Sequence, residues 1–248
     1  MDQIIVIPAR MQGTRLAGKP LMKILDKSIL WRVWNQCQKV HPAEKIFVAT
    51  EDIIIKKHCI EYGINCIVTG EANTAIDRIK LFSDTVKADA YINVQGDEPL
   101  VNPKDILSIL EYNQQYPERV VFGKTQANRE EFLDVSKAKV VCDLNGRLLY
   151  SSRSCIPINN KGGFISAERA IWIYAFSKKH LDDYYKYKHQ TPLERIEDNE
   201  IIRFLEIGTP VYCVNVVGDS WAVDENKDLK IVEKLILERN NENNIDSR

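Results

Sequence analysis

The chain has 248 residues, 44% of them hydrophobic, and a formal net charge of −1. That length fits one large α/β domain with a sizeable core, and the balanced charge gives no global attraction to nucleic acid or to an anionic membrane, so any anion binding has to be local. No apolar run approaches the ~20 residues that cross a bilayer, and a strand-like segment follows the first residues, leaving no room for a secretion signal.

Gln3–Ala9 reads as a buried strand that runs into a cationic loop holding Arg10, Gly13, Arg15, Gly18 and Lys19. Glycines let a backbone approach a ligand closely, and N–H groups with cations at a strand end make a polyphosphate cradle. Pro20 follows Lys19, so the spacing is not that of a P-loop, nor is it G-x-G-x-x-G. An amphipathic helix is expected over Ser28–Val40, with Ile29, Trp31, Val33 and Trp34 inward. A strand (Lys45–Thr50), a helix (Glu51–Tyr62) ended by Gly63 and a strand (Asn65–Thr69) follow. Next come a helix (Thr74–Val86), a strand (Ala90–Val94) and a helix (Pro103–Tyr112) with Pro103 in its first turn. Strands separated by helices imply βαβ units and a parallel sheet, with ligands beyond the carboxyl ends of its strands.

The second half changes character. Asn145-Gly146 between Lys139–Cys142 and Arg147–Ser151 signals a type I′ hairpin. Ala170–Phe176 reads as a strand, Pro192–Glu206 as one helix ended by Gly208, Pro210–Val217 as a strand and Asn226–Arg239 as an amphipathic helix. The six cysteines (Cys37, Cys59, Cys66, Cys142, Cys155, Cys213) form no C-x-x-C pair, which points to thiols in a reducing cytoplasm. His41, His58, His180 and His189 are isolated, and no nucleophilic triad is evident.

Asp97 stands where a divalent cation beside a phosphate loop is held, because Mg²⁺ takes one or two carboxylates plus phosphate oxygens and water; the competing reading is a residue that caps the following turn. Asp224 is a candidate second carboxylate, although the residues alone favour a helix N-cap there.

Several segments together carry a resemblance. They are Pro8-Ala9-Arg10 with Thr14-Arg15-Leu16 and Gly18-Lys19-Pro20-Leu21, Val94-Gln95-Gly96-Asp97-Glu98-Pro99, Leu149-Tyr150-Ser151-Ser152-Arg153, Pro192-Leu193-Glu194-Arg195-Ile196-Glu197 and Val223-Asp224. Over roughly residues 2–238 the chain resembles the CMP-Kdo synthetase (3-deoxy-manno-octulosonate cytidylyltransferase) family. The resemblance implies a Rossmann-like, mostly parallel α/β sheet of the GT-A-like nucleotidyltransferase kind. It implies a single domain over 1–240, with about 130–190 forming a hairpin-containing dimerisation lobe, and a frayed tail at 241–248. It also implies a homodimer that couples CTP to a small acidic acceptor, with Mg²⁺ as cofactor and with neither a nucleic acid polymer nor a membrane as partner. Asp97 and Asp224 then hold the metal, which reverses the preference for a cap at Asp224. Arg10, Arg15, Lys19 and Asp97 carry catalysis. Ala9, Arg10, Gly13, Thr14, Arg15, Lys19, Asp77, Arg78 and Gln95 contact the nucleotide, and Gln95, Arg153, Tyr174 and Glu200 contact the acceptor.

Three departures stand out. The family's S-G-T is Thr74-Ala75-Ile76, which bears on the nucleotide. Its H-x-G-[IV]-Y is Ala170-Ile171-Trp172-Ile173-Tyr174, and a sugar-contacting glutamine is replaced by Ile201. The expectation is a smaller, less polar sugar pocket that handles Kdo itself poorly and prefers a modified octulosonic or nonulosonic acid or a smaller phosphonate-like acid. Another nucleotide, or a non-catalytic nucleotide-binding protein, are the alternatives.

Overall fold

The computed structural model describes residues 1–13 and 16–245, with side chains up to residue 239 in the last helix. The first half comprises β1 (Gln3–Pro8), β2 (Lys23–Ile24), β3 (Lys27–Ser28), α1 (Ile29–Cys37), β4 (Ile46–Thr50), α2 (Ile53–Glu61), β5 (Asn65–Val68), α3 (Ala75–Thr85), β6 (Ala90–Val94) and α4 (Pro103–Gln115). The second comprises β7 (Val120–Ala127), α5 (Arg129–Leu133), β8 (Lys139–Cys142), β9 (Leu148–Ser152), β10 (Ala167–Phe176), α6 (Lys178–Tyr185), α7 (Pro192–Glu197), α8 (Ile202–Glu206), β11 (Val211–Asn215) and α9 (Asn226–Ile245).

The central sheet runs β11-β7-β10-β6-β1-β4-β5, with β8 and β9 branching from β10. β1 pairs in parallel with β4 and β6, β4 with β5, and β7 with β11. Only β10 interrupts this main path, lying antiparallel between β6 and β7. The sheet is thus α/β and mostly parallel. The carboxyl ends of β1 and β6 and the amino end of β10 meet at one edge, where a parallel sheet holds its ligands. Alternation divides β1 between two cores: Ile5 and Ile7 pack under α1, α2 and α4, while Ile4 and Val6 pack under α3, α6 and α8.

The structure departs from the sequence expectations in several places. β7 was not anticipated, because its alternation breaks at Gly123, where a Cβ would lie 2.9 Å from the Ile171 carbonyl oxygen. Trp31 is only partly buried, and Leu30 and Cys37 take inward positions on α1. The Asn145-Gly146 turn is not type I′. Gly146 has φ of 78° but Asn145 does not have a positive φ, and the Asp143 carboxylate accepts from the N–H groups of Asn145 and Arg147. The expected single helix over Pro192–Glu206 is two, broken at Asp198, whose φ is 46°. The last helix continues past Arg239 to Ile245, into the segment expected to fray.

The break at Asp198 has a packing reason. It folds α8 back on α7, so that the Arg203 guanidinium meets both oxygens of Glu194, each at 2.7 Å, and Asp77 of α3 at 3.3 Å. The guanidinium also stacks on Tyr184, 3.9 Å from the ring centroid. Arg203 and Glu194 are essentially solvent-free. Breaking such a pair strands a buried charge at a cost of about 3–5 kcal/mol, whereas apolar replacement of both partners recovers much of it. Arg203→Met should therefore lower the unfolding free energy in urea by that amount, and Arg203→Met with Glu194→Met should be more stable than Arg203→Met alone. Equal stability of single and double variants would remove the buried-pair account.

Candidate active site

The loop after β1 is fixed by three tethers. The Ala9 N–H donates to the Ala49 carbonyl at 3.0 Å, the Met11 N–H to the Asp52 carboxylate at 2.7 Å and the Gly18 N–H to the Met11 carbonyl at 2.8 Å. Gly18 has φ of 73°, a conformation other residues rarely adopt. At Gly13 a Cβ would overlap the Leu16 carbonyl oxygen, so the backbone approaches that closely only without a side chain. Pro20 then starts a short 3₁₀ turn, Lys19–Leu21, which presents the Lys19 side chain to the sheet edge.

Two carboxylates meet that side chain. Lys19 Nζ lies 2.7 Å from Asp97 Oδ2 and 3.3 Å from Asp224 Oδ1. Asp97 follows Gly96, where a Cβ would lie 2.6 Å from the Pro8 carbonyl oxygen; the small residue lets the chain leaving β6 pass close to β1. Asp224 is carried in by a backbone bond, from the Val223 N–H to the Asp97 carbonyl at 2.9 Å. The Asp228 carboxylate accepts from the N–H groups of Asp224 and Glu225, at 2.9 and 2.8 Å, and so fixes the turn into α9.

These groups border a cleft of about 270 Å³, with Arg10, Gln12, Arg78 and Gln95 also on its walls. Its far wall is the segment Ala72–Ala75 at the start of α3. There Thr74 Oγ1 accepts from the Asp77 N–H and the Glu200 carboxylate from the Ile76 N–H, both at 3.1 Å. Burial pushes the Glu200 carboxyl up to about 7, against the downward pull of that N–H. Glu98, next to Asp97, is likewise pushed up to about 7 by burial.

Of the residues singled out in the sequence, Ala9, Arg10, Gly13, Lys19, Arg78, Gln95, Asp97 and Asp224 all border this cleft. Thr14 and Arg15 lie outside the described residues. Asp77 does not border the cleft; it is buried and turned to Arg203, burial raising its carboxyl and the guanidinium partly offsetting that rise. Glu200 holds the start of α3 from behind the cleft wall. Tyr174 is fully buried, stacked on Phe122 and beside Phe176.

Arg153 is placed elsewhere. Its guanidinium donates to the carbonyl oxygens of Glu197, Asp198, Val135 and Ser136 at 2.9 to 3.3 Å, clasping the lobe to α7. An acceptor clamp at Arg153 would have to break that set. Nor do Ala170, Trp172 and Ile201 line the cleft; Ile201 is fully buried in the apolar core. Sequence reasoning missed Gln12, Asn73 and the loop tether Asp52. Gln12 sits in the phosphate-loop motif, which was a usable signal; Asp52 becomes a tether only through the fold.

The pair Asp97 and Asp224 fits a divalent cation: two hard oxygen donors face one spot at the mouth of a phosphate-sized cleft, leaving other positions for phosphate and water. Among the described residues no group of three or more His, Cys, Asp or Glu side chains could hold a metal by itself. A substrate-completed site is the kind this arrangement can build.

Residues 4–231 match the cytidylyltransferase family model. The chain is 36% identical to the 3-deoxy-manno-octulosonate cytidylyltransferase of Koribacter versatilis, over 96% of this chain and 91% of that one. It is 34% identical to the enzyme of the same name from Fusobacterium nucleatum, over 95% of this chain and 97% of that one. The solved structure of a CMP:2-keto-3-deoxy-manno-octonic acid synthetase complexed with CTP superposes with a TM-score of 0.90 at 28% identity, covering 96% of this chain and 100% of that chain. HddC from Yersinia pseudotuberculosis, at 16% identity and a TM-score of 0.69, covers 95% of this chain and 100% of that chain and shares the fold. With the match spanning the sheet, the cationic loop and Asp97 together, the chain belongs to the cytidylyltransferase family, in the CMP-Kdo synthetase branch.

Proposed function

We propose that this enzyme couples CTP to an anionic sugar acid of the Kdo kind, giving a CMP-sugar and pyrophosphate, with Mg²⁺ as its cofactor. The observation that carries the reading is the convergence of Lys19, Asp97 and Asp224 at the mouth of the cleft. In the reaction an acceptor oxygen attacks the α-phosphorus in line and pyrophosphate leaves, so positioning and charge neutralisation supply the rate. The loop from Arg10 to Lys19 presents N–H groups and cations to the triphosphate, and Arg10, Arg15 and Lys19 balance charge growing on the leaving pyrophosphate. Asp97 and Asp224 hold Mg²⁺, which when bound screens the phosphate oxygens. Ala72–Ala75 and Arg78 form the wall against which the nucleoside rests, and Gln95 marks the acceptor side.

A second reading of the acceptor has its own observation. The β6–β10 ladder ends with Ile173 paired to Val94, and Trp172 and Gln95 are the next residues beyond that last pair on β10 and after β6. An indole one residue past that pair, outside the cleft wall itself, narrows the approach from the acceptor side, which favours an acid other than Kdo. No helix among the described residues is long and apolar enough to cross a membrane, and the cysteines are free thiols, which supports a cytoplasmic enzyme. Exposed Val135, Leu144, Leu149, Ile158 and Ile165 on the lobe supply an apolar face for a symmetric homodimer.

Pyrophosphate release from CTP should be seen with Kdo or a related sugar acid, should cease with EDTA and should return with Mg²⁺. No release with any acid in a panel that includes Kdo and phosphonates would refute the transferase reading. Asp97→Asn and Asp224→Asn should each lower kcat by at least ~10²-fold, and Lys19→Ala should weaken CTP binding measured by calorimetry. If Asp224→Asn lowers only the melting temperature, its role is structural. Light scattering should give a dimer mass across micromolar concentrations; a monomer mass would remove the interface assigned to the lobe.

A further inference from the structure

Cys142 and Cys213 are far apart in the chain and neighbours in the fold. Cys142 is the last residue of β8, and the turn that follows it lies on β11, the strand that carries Cys213. Three backbone contacts hold the turn there. The Cys213 N–H donates to the Gly146 carbonyl at 2.7 Å, Arg147 forms an antiparallel bridge with Tyr212, and a Cβ on Gly146 would lie 3.3 Å from the Cys213 carbonyl oxygen. Both cysteines pack into one apolar core, where Cys213 is 7% exposed and Cys142 is half-buried.

The two thiols meet in that core. The hydrogen bond between them is the largest influence on each, holding the Cys142 thiol below its ordinary value and the Cys213 thiol above it. The Lys124 ammonium, which donates to both Glu168 oxygens at 2.7 Å, also favours the Cys142 thiolate, against burial and the carboxylates of Glu168 and Asp143. The sulfurs are thus unlike. Cys142 is the reachable and more readily ionised one, while Cys213 is dry and keeps its proton. A thiolate that attacks and a second thiol that resolves the product need that division. Packing alone needs no second sulfur against the first. Neither residue borders the nucleotide cleft, so the pair stands apart from the transfer chemistry.

We propose that Cys142 and Cys213 are a redox-modification site, at which a peroxide converts the two thiols into a disulfide that fastens the hairpin turn to β11. In the first step the Cys142 thiolate attacks one peroxide oxygen. The S–O bond forms, the O–O bond breaks, and the leaving hydroxide takes up the proton that Cys142 gave up, as water. In the second step the Cys213 sulfur attacks the Cys142 sulfur. The S–S bond forms, the S–O bond breaks, and the departing hydroxide carries off the Cys213 proton as a second water. Two thiols are oxidised and one peroxide is reduced; a thiol reductant reverses the change. The bond closes a long loop and so restrains the unfolded chain strongly. Cys59 and Cys66 also hold their thiols against each other, but they lie close in the chain on either side of Gly63, so a bond there would close a short loop and restrain little.

Peptide mapping without reductant tests the site on the full chain exposed to hydrogen peroxide, both as it stands and with Cys66→Ala, which removes the second thiol pair. Both proteins should yield a cross-linked pair of peptides carrying Cys142 and Cys213, lighter by two hydrogens than the separate peptides and parted by dithiothreitol. The oxidised Cys66→Ala protein should melt roughly 5 °C or more above its reduced form. Dithiothreitol should abolish that shift, and adding Cys142→Ser should prevent it. Peroxide that leaves Cys142 reduced, or carries it to the sulfinic acid with no link to Cys213, would overturn the proposal. A Cys142–Cys213 link that leaves the melting temperature unchanged or lowers it would overturn the fastening of the turn to β11. The readouts involve neither CTP nor an acceptor, so they stand or fall independently of the transferase reading.

Discussion

Two carboxylates that arrive from residues 97 and 224 can share one small volume only when a cation lies between them. Lys19 supplies it in this structure, at 2.7 and 3.3 Å. Everything around the cleft serves that meeting. Gly96 lets the end of β6 pass against β1, Gly18 and Pro20 turn Lys19 inward, and the Val223 N–H brings the segment before α9 onto the Asp97 backbone. A lysine held this way offsets the mutual repulsion of the two carboxylates across the cleft.

The second electrostatic centre is of a different kind. Arg203, Glu194 and Asp77 are out of water and tie α7, α8 and α3 to one another, while Glu200 holds the Ile76 N–H from the same turn. The start of α3 is a wall of the cleft, so its position depends on residues that never touch the nucleotide. Aspartate at 77 therefore matters to the site through its buried pairing, which is how a residue can belong to a nucleotide motif without lining the nucleotide cleft.

Much of this was legible in the sequence because it was local. Gln3–Pro8 ends in its cationic loop within a few residues, and periodicity marked α4 and β6 closely. The pairing of Asp97 with Asp224 came from the family resemblance, since the residues alone favour a cap at Asp224; the contact of Lys19 with both is visible only in the fold. What could not be read is non-local. β7 looks irregular at Gly123 until the Ile171 carbonyl packs against it. A helix over Pro192–Glu206 satisfies every local rule, and only the buried partnership of Glu194 with Arg203 shows why it breaks at Asp198. Arg153 looked available for an acid, yet the carbonyls that occupy it come from residues 135–136 and 197–198, far apart in the chain.

The antiparallel strand β10 has a bearing on how the chain is made. Emerging in order, β1, β4, β5 and β6 can pair and be covered by α1 to α4 well before the second half exists. β6 then stands at the border with its outer N–H and C=O groups open, because its neighbour is residues 167–176. β7 is made next but cannot occupy that border, since it joins the sheet only through β10. A nascent chain therefore carries an unpaired apolar edge for the whole time the lobe is being synthesised, the kind of edge that recruits another strand. The lobe is in this sense a delay built into assembly: its last strand is the keystone that closes the two halves of the sheet.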